Sequence, residues 1–125
     1  MNVRWMAVLT GLVVDVLLST LIGLAAGPVA ESFAVAPDLT RPGHLVLLGL
    51  YLLCTAVGGY LAGRIAGEQH LLHGLLVGVI GVILTQLPAI GGDPMPRVYV
   101  VGSAAGCLTG TLGGLVSRYL PPPHR

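Results

Sequence analysis

Four long apolar stretches, separated by short breaks of polar residues and prolines, organise this chain. They run over roughly 5–26, 45–63, 71–91 and 98–120, each near the about 20 residues an α-helix needs to cross the hydrocarbon core of a bilayer. The first break, 27–44, carries Pro28, Pro37 and Pro42, the second is the short link 64–70, and the third, 92–97, carries Pro94 and Pro96. Proline lacks an N–H and fixes its own φ, so Pro121, Pro122 and Pro123 end the fourth stretch. The pattern predicts an all-α fold, a four-transmembrane-helix bundle forming a single membrane domain over 1–125.

The first stretch invites comparison with a secretory signal, since Arg4 precedes it and Ala25 and Ala26 end it. Its length exceeds the about 7–15 residues of a signal core, and Asp15 stands in its middle. It reads as a membrane span. Arg4, Arg64, Arg118 and Arg125 fall on one face of such a bundle, against Arg41 and Arg97 on the other. Positive charge favours the cytoplasmic side, which predicts N and C termini in the cytoplasm and a multi-pass protein of the inner membrane.

Composition narrows the class. Hydrophobic residues make up 54% of the 125 and charged residues 9%, whereas a soluble domain carries roughly 25% charge. With a mean hydropathy of +0.90, the chain reads as an integral membrane protein with the lipid bilayer as its first partner. A net charge of +1 offers no basic surface for nucleic acid. Cys54 and Cys107 lie near the middle of their stretches, where a thiol packs as a small hydrophobe. Trp5, Tyr60, Tyr99 and Tyr119 read as interfacial aromatics, and Arg64 and Arg118 as snorkelling anchors.

Nineteen glycines need a reason, because each costs about 1 kcal/mol in a helix interior relative to alanine. Gly102, Gly106, Gly110 and Gly114 recur every four residues, on one stripe of a helix. Gly59, Gly63 and Gly67 repeat the spacing in the second stretch and its link, Gly74 and Gly78 in the third, and Gly11 and Gly23 flank Asp15 and Ser19 in the first. Membrane helices associate through close packing, which small residues permit, so these positions are expected to pack helices together. Whether they meet within one chain, across a homo-oligomer or against other membrane subunits is left open by spacing alone. Cys54, Gly58, Gly59 and Arg64 also have counterparts in Cys107, Gly113, Gly114 and Arg118, a faint sign of a duplicated hairpin.

Asp15 is the polar residue that the interfaces do not account for. An acid at membrane depth faces the bundle interior or a wet cavity, and Ser19 shares its helix face. Thr55 and Thr109 lie at similar depth and are expected as partners. Gln86 is placed to hydrogen-bond between helices. The group suggests either a proton or cation site or an assembly contact. His70 and His73 stand three apart beside Glu68, which can align two imidazoles for a metal, but they read as an interfacial pair near Arg64. None of the common hydrolase, zinc-protease or phosphate-loop motifs is present, so no catalytic residues, no metal and no cofactor are expected.

The segments 5–15, 58–67 and 72–78, with Gly58, Gly59, Gly63, Arg64, Gly67, His73, Gly74 and Gly78, resemble a widespread type of small uncharacterised bacterial four-span membrane protein. Small multidrug resistance transporters are similar in their four spans and in the acid midway along the first, but they use Glu there and have aromatic-rich helices. The segment 113–119 resembles a glycine-arginine motif of the small fluoride channels. It stands at the opposite end of the chain, and no phenylalanine-lined pore accompanies it. The expectations are therefore a structural or accessory subunit of a membrane assembly first, a small proton-coupled transporter using Asp15 second, and a small ion channel third.

Overall fold

A computed structural model describes residues 2–87, 91–92 and 97–120. The described residues form five helices and no strand: α1 (Trp5–Ala26), α2 (Pro28–Val35), α3 (Pro42–Ala66), α4 (His70–Gln86) and α5 (Arg97–Tyr119). Helices α1, α3 and α5 are long and apolar enough to cross a membrane, whereas α4 is a shorter apolar helix. Three expectations are corrected. The break 27–44 contains helix α2; α3 starts three residues before the expected position 45; and α4 stops at Gln86 rather than at Gly91, which sits in a turn with φ +95°. Residues 88–90 and 93–96, with Pro94 and Pro96, and the tail 121–125 lie outside the described residues.

Local chemistry explains the boundaries. Pro28 and Pro42 stand in the first turns of α2 and α3, where a missing N–H costs nothing and the fixed φ is already helical. Gly27, with φ +50°, separates α1 from α2. Gly67 ends α3 in the left-handed conformation, φ +71°, its N–H donating to the Gly63 carbonyl at 3.2 Å, the role glycine fills at helix C-termini. A Cβ on Gly67 would meet nothing within 4 Å. Gly67 is thus a cap, not the packing residue that its spacing suggested.

Helices α3 and α4 lie together at the centre; α5 packs on both from one side, and α1 packs on both, mainly on α3, from the other. Few side chains fill this interior. Val8, Ala62 and Val77 are its fully buried hydrophobic cluster, and the remaining space is closed by backbone. A Cβ on Gly59 would strike the Gly110 carbonyl, one on Gly74 the same oxygen, one on Gly114 the His70 carbonyl, and one on Gly11 the Gly58 carbonyl. Gly63 leaves room for the Ser117 hydroxyl, and Gly78 for Cys107, whose Cα would lie 3.0 Å from an added Cβ. Gly58 and Gly113, absent from the four-residue stripes, are as tight: a Cβ on Gly113 would strike the Ala56 carbonyl.

The outer surface is apolar. Met6, Leu9, Leu17, Leu24, Leu53, Leu108 and Leu112 are all exposed, an arrangement that suits lipid and not water.

Candidate ligand chamber

Contact between α1 and the central helices runs from Gly11, against Gly58, Ala62 and Val77, to Asp15, against Gly58 and Gly81. Beyond Asp15 the helices diverge. A chamber of about 480 Å³ occupies the gap, lined by α1, α3, α4 and α5 and by Phe33 of α2. Its α1 and α4 lining includes Val16, Thr20, Leu84 and Thr85, which are also exposed on the outer surface. The chamber therefore opens sideways between α1 and α4.

Asp15 forms the inner end of this chamber. Only 6% of the residue is exposed. Its Oδ1 accepts from the Ser19 hydroxyl at 3.3 Å and from the Thr55 hydroxyl at 3.3 Å, and the Thr55 hydroxyl also lies 3.3 Å from the Tyr51 carbonyl. Its Oδ2 points across to α4, 3.5 Å from where a Cβ on Gly81 would sit. No Lys, Arg or His among the described residues lines the chamber. Among the described residues the ion pairs are Arg4 with Glu68 and Arg41 with Asp38, both at the surface.

Gln86 marks the other end. Its Nε2 donates to the Ser103 hydroxyl at 2.7 Å and lies 3.4 Å from the Tyr99 carbonyl, joining α4 to α5. The Tyr99 hydroxyl donates to the Ala34 carbonyl of α2 at 3.4 Å. Phe33 meets Tyr51 edge-on at 6.5 Å between ring centroids and His44 at 5.4 Å. Of the expected polar group, the structure thus brings Asp15, Ser19 and Thr55 together and sets Gln86 in the same chamber. Thr109 does not join them: its hydroxyl donates to the Gly106 carbonyl of its own helix at 3.1 Å, as threonine commonly does in helices. Gly23 meets only the Tyr51 hydroxyl, 3.2 Å from an added Cβ.

Tyr51, Gly81 and Ser103 join this lining without having been picked out by sequence. Ser103 follows Gly102 on the glycine-bearing face of α5, and Gly81 follows Gly78 by one helical step; those spacings were the available signal. Phe33 gave none, since it lies in a segment read as a link.

Two buried histidines stand at opposite ends of the bundle. His73 is fully buried. Its Nε2 accepts the Arg4 backbone N–H at 3.0 Å and its Nδ1 meets the Gln69 carbonyl at 3.0 Å, so Nδ1 carries the hydrogen. The imidazole caps α1 from another helix, where no local side chain does so. This corrects the reading of His70 and His73 as an interfacial pair: both ring nitrogens of His73 hold backbone. His44, unremarked in the sequence, accepts the Asp38 N–H on Nδ1 at 3.0 Å and meets the Ser32 hydroxyl through Nε2 at 3.2 Å, tying α2 to α3.

Residues 4–117 match a family described as "Protein of unknown function (DUF3792)", and the chain belongs to that family. No curated protein matches it. No solved structure matches it either.

Proposed function

We propose that this member of the DUF3792 family is a small membrane carrier that takes an organic solute into the chamber between α1, α3, α4 and α5, with Asp15 as its polar anchor and site of proton exchange. One observation carries this reading: a buried carboxylate, clamped on one oxygen by Ser19 and Thr55, ends a chamber of about 480 Å³. Ligand sites are commonly cavities of roughly 300–1,000 Å³ with apolar walls and a few placed polar groups, and an acid at membrane depth commonly marks a pathway. The accessory-subunit reading drew on glycine rows and a buried acid as contact sites, with the rows left open to meet within the chain or on a partner; here those of α3, α4 and α5 meet one another and the acid faces the chamber, which moves the carrier reading ahead of it.

In the same reading the bundle crosses the bilayer four times. Helix α4, with 17 residues, reaches about 25 Å at 1.5 Å per residue, just enough for a hydrocarbon core of roughly 30 Å with slight thinning. The excess of arginine on one face favours both termini in the cytoplasm of a bacterial cell. Reporter fusions at each terminus test the orientation.

The carrier itself is tested in proteoliposomes with a pH-sensitive dye inside. Solute pulses are expected to move protons with the unmodified chain, and to move none with Asp15→Asn or with Gly102→Leu, which fills the chamber. Equal proton movement in all three would defeat the reading. Stable co-purification with another membrane protein, together with no solute response, would restore the subunit.

A further inference from the structure

From the chamber's charge, shape and opening we infer that its ligand is an amphiphilic amine, a single cationic nitrogen on an apolar body, with the nitrogen seated on Asp15 Oδ2. This rests on the carrier reading above and adds the class of ligand to it.

Three features of the chamber select that class. The first is the state of the carboxylate. Both hydroxyls in reach of Asp15 meet Oδ1, that of Thr55 shared with the Tyr51 carbonyl, while Oδ2 faces Gly81, which has no side chain to offer a donor. The oxygen left over is an acceptor seeking an N–H, and a charge-assisted bond from an ammonium is the strong way to supply one. With no Lys, Arg or His among the described lining residues, an anion would find no opposite charge from them and would meet Asp15 as a like charge.

The second feature is size. A bare metal ion takes about six oxygens at short range, and Asp15, Ser19 and Thr55 supply few, already bonded to one another. A chamber of about 480 Å³ holds an organic body instead. Along α4, Gly78 and Gln86 bound it eight positions apart, and along α1 Asp15 and Gly23 bound it eight apart as well, which at 1.5 Å per residue gives a depth of roughly 12 Å. That length fits an amine with one ring and a short alkyl chain. Phe33 and Tyr51 in the wall add aromatic faces, to which cations are attracted.

The third is access. The opening between α1 and α4, at Val16, Thr20, Leu84 and Thr85, faces the lipid-facing surface of the bundle. A ligand entering there comes out of the bilayer, which an amphiphilic amine enters and a small hydrophilic cation does not.

The test uses the purified full chain in phosphatidylcholine nanodiscs, titrated in parallel with phenylbutylamine and with phenylbutanol, its neutral counterpart of similar size. Native mass spectrometry counts bound molecules, the shift in unfolding temperature reports affinity, and empty nanodiscs give the blank. One amine per chain is expected, bound about tenfold or more tightly than the alcohol. Asp15→Asn brings the amine down to the level of the alcohol and leaves the alcohol unchanged. Gly102→Leu weakens both, and it has room to fold, since an added Cβ there meets only Leu48 Cδ1 at 3.7 Å. Equal binding of amine and alcohol, both lost in Gly102→Leu, would overturn the cationic class while the chamber stood. Binding of neither, or unchanged binding of both in Gly102→Leu, would overturn the inference and the carrier reading together. The amine-to-alcohol comparison is made on the unmodified protein, so it decides the class even where Asp15→Asn does not fold.

Discussion

The two ends of this bundle use the same residue type for opposite purposes. At the end holding the start of α1 and the close of α5, glycines bring backbone onto backbone: Gly59 and Gly74 on Gly110, Gly114 on His70, Gly113 on Ala56. At the α2 end, glycines leave space. Gly102 has only Leu48 near it, Gly106 has only Val82 at 3.4 Å, Gly49 has nothing within 4 Å, and Gly81 faces a carboxylate oxygen. A single four-residue stripe on α5 therefore crosses from seam to cavity between Gly110 and Gly106. The lesson is that small-residue spacing locates a helix face, while the divergence of the neighbouring helices decides whether that face is a contact or a hollow.

Substituting alanine at both ends breaks the comparison most sharply. Gly113→Ala drives a methyl into the Ala56 carbonyl, with the Tyr60 nitrogen 2.9 Å from the same point. Both are backbone and neither can swing aside, so a loss of about 3 kcal/mol is expected, at the upper part of the range for overpacking. Gly102→Ala meets one flexible leucine tip at 3.7 Å and gains helix propensity, so it is expected to be neutral or more stable by about 0.5 kcal/mol. Reversible unfolding in detergent followed by circular dichroism measures both. Equal destabilisation at the two positions would mean that the ends do not differ.

This asymmetry also marks how far sequence could reach. Apolar run length alone located α1 from Trp5 to Ala26, because a membrane-length helix is written in consecutive residues. The clustering of Asp15 with Ser19 and Thr55 followed from helical spacing and from counting depth inward from the interfaces. Thr109 sat at the same depth, but its hydroxyl found a nearer acceptor on its own helix, and depth says nothing about rotation about a helix axis. Gly58 and Gly113 escaped the stripe pattern because the residues four away, Cys54 and Ala62 for the one and Thr109 and Ser117 for the other, are not glycine. Helix α2 was hidden by its flanking prolines, which read as breakers although Pro28 occupies a first-turn position. The histidine bonds were out of reach altogether, since His73 and Arg4 are 69 positions apart.

The histidines set up the second comparison, between a cap in the closed end and a tie in the open one. His73→Phe takes away from a fully buried ring both the acceptor of the Arg4 N–H and the donor to the Gln69 carbonyl. Losing the two bonds is expected to cost about 2 kcal/mol. His44→Phe also removes an acceptor, for the Asp38 N–H, but Asp38 lies in a partly exposed turn where water can replace it, so about 1 kcal/mol is expected. Hydrogen exchange separates the two: His73→Phe should raise exchange at the start of α1, and His44→Phe at α2 and the 38–41 turn. Loss of protection at both ends in either variant would show that the ends do not respond independently.

The smallest expected effect lies in that same turn and concerns pH. The Thr40 hydroxyl, at 2.6 Å, and the Thr40 N–H, at 2.9 Å, both donate to Asp38 Oδ1, and Arg41 lies 3.7 Å from Oδ2. The Thr40 bonds chiefly, with Arg41 assisting, hold the Asp38 carboxyl below the ordinary aspartate range. A folded-state pKa below that of the unfolded chain means that the folded protein binds fewer protons in this window, so stability rises with pH there. The contribution is present in full above the ordinary value of about 3.9 and disappears as pH falls through the lower folded value. The Asp38 side chain is about half exposed, which keeps the contribution small, because water and salt screen such pairs. Unfolding temperatures of the unmodified chain and of Asp38→Asn, compared at matched pH, are expected to differ slightly near neutrality and to converge in acid. Other titrating groups cancel in that difference, so a gap that widened in acid would place Asp38 in repulsive surroundings instead and detach the turn from the hydrogen bonds that define the open end.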